Sequence, residues 1–472
     1  MQRGILRRTK IVSTLGPATD SAEMIAKLVD AGVNVFRLNM SHAPHDWVRR
    51  VVRDIRAAGA ARNQFVGIMM DTQGPAIRTG DIGVPLDLLP GQMFTLTVRG
   101  EQDLETHSVD VNYENFINDI SVGDVVLIDN GTIEMKVLAK TGNKVECEVL
   151  TAGTLGSRRH INLPGVKVRL PALTPKDRAD IEVGVEEQVD FFALSFVREA
   201  DDIDILRRLL SDLKSSARIV AKVEDQSGIT NLDEIIVASD AVMIARGDLG
   251  IEVPMETLPL FQKMAVEACI RHRKPVIVAT HLLESMITSP VPTRAEVSDI
   301  ASAVWSTADA IMLSGETATG LYPLECVQFM KRVAGRVEES EPKGYNTALP
   351  LKNNKDRLLR SAVVLAQELG DSGIVVFTRN GFLPQSLAAL RAKRCPIYAF
   401  TDEPQVFRHM LLMWGVEPFL MPFAADPEEV ICAAFAYLLR RNWVRQGDWM
   451  VVVTNVLAGK KTIDTIQMRP VE

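Results

Sequence analysis

Ile219-Val220-Ala221-Lys222-Val223-Glu224 and, further on, Val242-Met243-Ile244-Ala245-Arg246-Gly247-Asp248 are two short apolar runs that each end in charge. Runs of this length, rich in β-branched residues and followed by helix-like sequence, read as strands buried on both faces. Side chains alternate along a strand, so Lys222 and Glu224 share one side, opposite Ala221 and Val223. A cation and a carboxylate leaving a buried strand together are costly unless they meet a ligand, a metal or each other. A buried ion pair is the plain alternative. With Asp248 closing the next run, a site at the strand ends is the better reading.

The same rhythm extends both ways. Lys10–Gly16, Asn34–Ser41 and Val66–Thr72 precede it as strands; Phe191–Phe196, Pro275–Thr280 and Ala310–Ser314 complete the set. Amphipathic segments separate them, beginning with Ser21–Ala31, where Asp20 or Ser21 is the cap and Gly32 follows the end. Eight β-α units match a (β/α)8 TIM barrel with its helices outside. The competing open sheet would carry a Gly-rich first turn, and GxGxxG is absent.

From Gly74 to about Leu170 the pattern changes to short alternating runs, Met93–Val98, Asp124–Ile128, Ile133–Leu138 and Lys144–Leu150. Asn130-Gly131 between two of them is a hairpin signal. This block reads as a small antiparallel β-barrel inserted as a lid, with hinges at Pro75 and Leu163-Pro164-Gly165. Polar sequence at Glu341–Lys355 reads as a linker to a C-terminal α/β domain. The expected domains are 1–73 with 171–340 (barrel), 74–170 (lid) and 355–472 (C-terminal).

Bulk properties narrow the function. The chain has 472 residues, is 47% hydrophobic and carries a net charge of −7, so no nucleic-acid partner is expected. Five scattered cysteines without a CxxC pair argue for a reducing compartment and against a thiolate zinc site. Met1–Lys10 is basic, but Ile11–Leu15 is too short for a signal-peptide core, and no run reaches ~18 apolar residues. A cytoplasmic protein without a membrane partner is expected. No Walker A motif exists, since Gly459-Lys460 is followed by Lys461.

Barrels of this kind gather their chemistry at the carboxyl ends of the strands. There the sequence places Arg37, Asn39 and Ser41, then Asp71 and Thr72 with Arg78 close behind, then Ser195-Phe196, Lys222 with Glu224, Gly247-Asp248, Thr280-His281 and Ser314-Gly315-Glu316. Two carboxylates on adjacent strands, with no His or Cys beside them, suit a hard cation such as Mg²⁺. Lys222, Arg37 and Arg78 supply positive charge for a phosphoryl group. The residues alone therefore point to a Mg²⁺-dependent enzyme acting on a small phosphorylated or carboxylated molecule.

Across nearly its whole length the chain resembles pyruvate kinases. The matching segments are TKIVSTLGP (Thr9–Pro17), RLNMSH (Arg37–His42), DTQGPAIRTG (Asp71–Gly80), NLPG (Asn162–Gly165), ARGDLG (Ala245–Gly250), PVIVATHLLESM (Pro275–Met286), PTRAE (Pro292–Glu296) and IMLSGETA (Ile311–Ala318). The resemblance implies phosphoryl transfer from phosphoenolpyruvate to ADP, the last step of glycolysis, by a homotetramer. It implies Mg²⁺ (or Mn²⁺) on Glu224 and Asp248, and K⁺ on Asn39, Ser41, Asp71 and Thr72. Lys222 is then the residue that stabilises the phosphoryl group in flight, and Arg37 grips its phosphate. The backbone at Gly247-Asp248 holds the substrate carboxylate, Thr280 lies near the methylene carbon, and Ser314 and Glu316 serve the proton relay. Arg78, Arg159 and His42 are implied nucleotide contacts. A Mg²⁺-dependent lyase or aldolase and a non-catalytic relative are the rival readings; the first has no reason to keep Lys222, Arg78 and the lid together, and the second predicts loss of a charged core residue, of which none is lost.

Departures from the family pattern leave some properties open. Gln73 and Ala76 stand where DTKGPEIRTG has Lys and Glu, and the Glu position separates potassium-requiring members from the rest. K⁺ dependence is therefore open. His281 replaces Gln, Arg159 replaces Lys, His160 replaces Gly, and Asp129-Asn130-Gly131 replaces Asp-Asp-Gly. In the C-terminal domain Arg379-Asn380-Gly381-Phe382 stands where a Ser/Thr-rich stretch is usual, so fructose 1,6-bisphosphate is not expected as effector.

Overall fold

The computed structural model describes residues 7–98, 108–341, 343–370, 372–458 and 461–472, with side chains except at 455–458 and 461–462. Most of the basic Met1–Lys10 start and the Gly459-Lys460 pair lie outside them.

Eight parallel strands close a barrel: β1 (Lys10–Leu15), β2 (Val35–Asn39), β3 (Gly67–Asp71), β4 (Phe191–Leu194), β5 (Arg218–Val223), β6 (Ala241–Ala245), β7 (Val276–Ala279) and β8 (Ala310–Leu313). Strand β8 pairs with β1, Lys10 opposite Ala310, and this pairing closes the ring. Alternation sorts the apolar residues. Val35, Met69, Ala193, Val220, Met243 and Ile277 fill the interior, while Phe36, Leu38, Ile68 and Met70 pack under the helices. Burial on both faces is why these strands read as nearly continuous apolar runs.

Helix boundaries follow local chemistry. Ser21 caps Ala22–Ala31, its hydroxyl accepting from the Met24 amide at 3.2 Å, and Gly32 ends that helix at φ 104°. Asp20 instead accepts from the Trp47 indole at 2.9 Å. At β6 the structure corrects the sequence-based expectation, because the strand stops at Ala245 and Arg246–Glu252 is a short helix. Gly247 and Asp248 thus lie in a first helical turn, not on a strand. The Arg246 guanidinium donates to the Ala279 and Thr280 carbonyls and pairs with Asp299 at 2.7 Å, which pins the chain where it leaves the barrel.

The insert is a six-stranded sheet ordered Ile161–Asn162, Val125–Ile128, Ile133–Thr141, Lys144–Val149, Met93–Val98, Ser108–Val111. Ile77–Gly80 joins its two edges. The Ile161 amide donates to the Ile77 carbonyl, and the Gly80 amide donates to the Asp110 carbonyl, both at 2.8 Å. The segment thus bridges the edges of a six-stranded sheet through isolated bridges, where the sequence reading expects a small barrel. The sheet is not wholly antiparallel: Met93–Val98 and Ser108–Val111 run parallel. Asp129, Asn130 and Gly131 all have positive φ (54°, 58° and 79°), the tight turn that Asn-Gly announces.

The C-terminal domain is a five-stranded sheet, Val416–Leu420, Ile397–Thr401, Ile374–Phe377, Trp449–Ala458, Lys461–Pro470, with only the last strand antiparallel. Its Phe407, Leu411 and Leu412 join the barrel's interior cluster. Arg391 grips Asp309 at the start of the barrel's last repeat, Nη2 to Oδ2 at 2.5 Å.

Candidate active site

Arg37, Asp71, Lys222 and Glu224 meet at the carboxyl end of the barrel. Asp71 is the hub. Arg37 Nε lies 2.5 Å from Asp71 Oδ2, and Lys222 Nζ lies 3.1 Å from Asp71 Oδ1. Lys222 Nζ also lies 2.9 Å from Glu224 Oε1, so the shared side inferred from alternation is what the fold uses. The ion pair and the site are the same object. Lys222, Asp71 and Glu224 are all buried.

Burial and charge act against each other here. Desolvation alone would raise the Asp71 carboxyl, but the Arg37 and Lys222 cations outweigh it and hold Asp71 below the usual carboxylate range. Burial would lower Lys222, yet Asp71 and Glu224 outweigh that and keep it firmly protonated. Glu224 goes the other way. Burial, with Asp248 and Asp71 nearby, lifts it above the ordinary range although Lys222 opposes this. The cluster carries more negative charge than its two cations comfortably offset, which is the condition under which a divalent cation binds well.

Ser195, just past β4, stands among the strand-end residues of the sequence reading but carries no role there. Its Oγ accepts from Lys222 Nζ at 2.7 Å and donates to the Thr72 carbonyl at 2.7 Å. The adjacent Phe196 amide donates to Glu224 Oε2 at 2.6 Å. A strand-end serine is common, and the only available signal was its position beside β5.

Asn39 and Asp71 stand opposite each other in the β2–β3 register. Ser41 and His42 lie in the exposed turn after β2, where the Ser41 amide donates to Asn39 Oδ1 at 3.2 Å. The Thr72 hydroxyl donates to the Ala193 carbonyl at 3.2 Å and accepts from the Ser195 amide at 3.1 Å.

Thr280 and His281 have φ of 68° and 56°, two successive left-handed residues that only a constrained loop holds. The Thr280 hydroxyl donates to the Ala279 carbonyl and accepts from the Gly247 amide, both at 2.7 Å. The Gly247 amide, expected to be open to a carboxylate, is thus satisfied by Thr280. Glu316 is buried, and both its oxygens accept backbone amides, from Leu283 at 3.1 Å and Ser314 at 2.7 Å.

Above the barrel mouth, the lid brings Arg78 and His160 together as an isolated bridge. Burial lowers the His160 imidazole and Arg78 adds to this, while Asp248 opposes it. Arg159 is half-exposed and pairs with Asp129 at 3.2 Å. Among the described residues no hydrogen bond or ion pair joins His42 to Arg78 or Arg159. Asn162 Nδ2 donates to Glu252 Oε1 at 2.8 Å, and burial pushes the Glu252 carboxyl up to about 7. A cleft of about 660 Å³ lies between lid and barrel, lined by His160, Asn162, Phe196, Asp225, Gln226 and Glu252 among others.

Comparison with known proteins agrees with this layout. A family model described as the pyruvate kinase barrel domain matches residues 6–327, and one for the pyruvate kinase alpha/beta domain matches 356–468. Plastidial pyruvate kinase 2 of Arabidopsis thaliana is 42% identical, over 99% of this chain and 82% of its own length. A pyruvate kinase of Geobacillus stearothermophilus is 39% identical, over 96% and 78%. The crystal structure of a pyruvate kinase from Cryptosporidium parvum superposes with a TM-score of 0.94 at 33% identity, covering 99% of this chain and 96% of that one.

Proposed function

The chain belongs to the pyruvate kinase family, phosphotransferases that convert phosphoenolpyruvate and ADP to pyruvate and ATP, and on that footing we propose how its residues do the work. One observation carries the assignment: Lys222 is buried and protonated between two carboxylates at the mouth of the barrel. Phosphoryl transfer asks a protein mainly for positioning and charge neutralisation. Lys222 and Arg37 meet the transferring phosphate. Asp71 and Ser195 fix Lys222 in place, so little reorganisation accompanies the reaction.

Glu224 and Asp248 offer only hard oxygen donors and a surplus of negative charge, which fits Mg²⁺ or Mn²⁺. Bound there, the cation would neutralise the substrate's carboxylate and phosphate oxygens. Thr280 orders the Gly247 turn that faces the substrate carboxylate. Ser314 and Glu316 shape the side from which the enolate takes its proton. Arg78, Arg159 and His42 remain the nucleotide contacts of this reading, with Arg159 turning from Asp129 to phosphate on binding. Asn39, Ser41, Asp71 and Thr72 form an all-oxygen set suited to K⁺. Homotetramer assembly, a cytoplasmic location and domain limits at 1–73 with 171–340, 74–170 and 355–472 complete the reading. A chloroplastic relative makes location a point for cell fractionation. Among the described residues no helix is long and apolar enough to cross a membrane.

The test is a coupled assay for pyruvate with phosphoenolpyruvate and ADP, run with and without Mg²⁺, and with and without K⁺ at constant ionic strength. Activity that requires Mg²⁺ and rises with K⁺ supports both ion assignments. Activity indifferent to K⁺ removes the potassium site and leaves the kinase. No pyruvate under any condition overturns the reading.

A further inference from the structure

Glu252 closes the short helix that carries Asp248 and is 8% exposed. Its carboxylate accepts from Asn162 Nδ2 at 2.8 Å, and Asn162, 6% exposed, belongs to the last strand of the lid. Its backbone carbonyl accepts from Gln226 Nε2 at 2.7 Å, and Gln226 opens the short helix Gln226–Thr230 two residues after Glu224. One residue therefore joins the lid, the Asp248 helix and the helix that follows Glu224.

A buried carboxylate is an expensive way to fill space, and an apolar side chain would pack at lower cost. Asn162 depends on Glu252 as well, because its Oδ1 is buried without a partner and the amide is anchored through Nδ2 alone. A second tether runs in parallel. Arg198 donates to the Val168 and Leu170 carbonyls of the segment that returns from the lid to the barrel, at 3.2 and 2.6 Å. Arg198 lies just beyond Phe196, whose amide holds Glu224. Both tethers thus lie on the lid's return to the barrel and end on the segments that position the two carboxylates.

We propose that Glu252 is a positioning residue that couples the posture of the lid to the seating of Glu224 and Asp248. Lid orientation and divalent-cation affinity then form one equilibrium, biased from either side. This rests on the assignment of Glu224 and Asp248 to the cation.

The test uses Mn²⁺ as probe on the full chain, its affinity read from the electron paramagnetic resonance of free Mn²⁺. Asn162→Ala and Glu252→Ala should each weaken Mn²⁺ about fivefold, the effect of one hydrogen bond, although neither residue touches the ion. The double variant should be no weaker than the worse single one, and Glu252→Gln, which keeps an acceptor oxygen, should stay within about twofold of the parent. Unchanged affinities, or effects that multiply in the double variant, overturn the coupling. Hydrogen exchange on the parent needs no variant: Mn²⁺ should slow exchange at 161–163, and unchanged exchange overturns the proposal. A parent that makes pyruvate and ATP while every variant binds Mn²⁺ equally defeats the coupling alone. A parent that neither binds Mn²⁺ nor makes pyruvate defeats the cation assignment and the coupling with it.

Discussion

Lys222 Nζ donates to Ser195 Oγ at 2.7 Å, and the same hydroxyl donates onward to the Thr72 carbonyl. The serine aims the ammonium between Asp71 and Glu224. Ser195→Ala removes one charge-assisted hydrogen bond, worth about 1.5–3 kcal/mol, and should lower kcat at least about tenfold. The KM for ADP should hardly move. Steady-state kinetics checks this, and an unchanged kcat would make Ser195 a bystander.

The Glu252 carboxyl sits at about 7, up from its ordinary 4.5, chiefly through burial. A carboxyl raised in the folded state stays protonated there while the unfolded chain ionises. Its stabilising contribution is therefore intact below pH 4.5 and is lost as pH rises towards 7. Glu252→Gln removes that loss. The variant should match the parent near pH 4 and exceed it near pH 8, by as much as about 3 kcal/mol. Urea unfolding at the two pH values reads the difference; a gap independent of pH would contradict the shift.

Arg391 and Asp309 are a buried, bidentate pair between the C-terminal domain and the barrel, and Asp309 also accepts from the Trp414 and Val276 amides. Arg391→Ala leaves that carboxylate without its cation. Stability should fall by about 3–5 kcal/mol, the usual result of breaking a buried pair from one side. Thermal unfolding measures it, and an unmoved Tm would mean that water replaces the guanidinium.

Glu316 accepts two backbone amides and has no donor of its own in use. Glu316→Gln would set an NH₂ against an N–H. About 1–3 kcal/mol of stability should go, and kcat should fall with it as Ser314 shifts. If kcat collapses while unfolding is unchanged, Glu316 handles a proton directly instead of holding the loop.

The barrel was legible because each of its strands is buried on both faces, so period and punctuation in the chain report the architecture directly. The shared side of Lys222 and Glu224 followed from alternation along one strand. What lay hidden depends on register between strands. Ser195 looks like any strand-end serine until β4 is placed beside β5. That Asp71 reaches Lys222 requires knowing that β3 and β5 flank β4. Asp248 was misplaced by one element because a β-strand and a short helix both tolerate Ala245-Arg246-Gly247. The parallel pairing in the lid, Met93–Val98 with Ser108–Val111, is invisible to alternation, which is the same for either strand direction. His42 came from motif likeness alone and Ser41 from its place at a strand end, and the fold leaves both exposed.

The most direct measurement compares the parent with Lys222→Met for pyruvate and ATP formed from phosphoenolpyruvate and ADP, with Mn²⁺ affinity read on the same samples. The parent should make the two products one for one, and the variant should lose turnover by about three orders of magnitude or more while still binding Mn²⁺. Near-parental turnover in Lys222→Met, or pyruvate released without ATP, would contradict a phosphoryl transfer organised around Lys222.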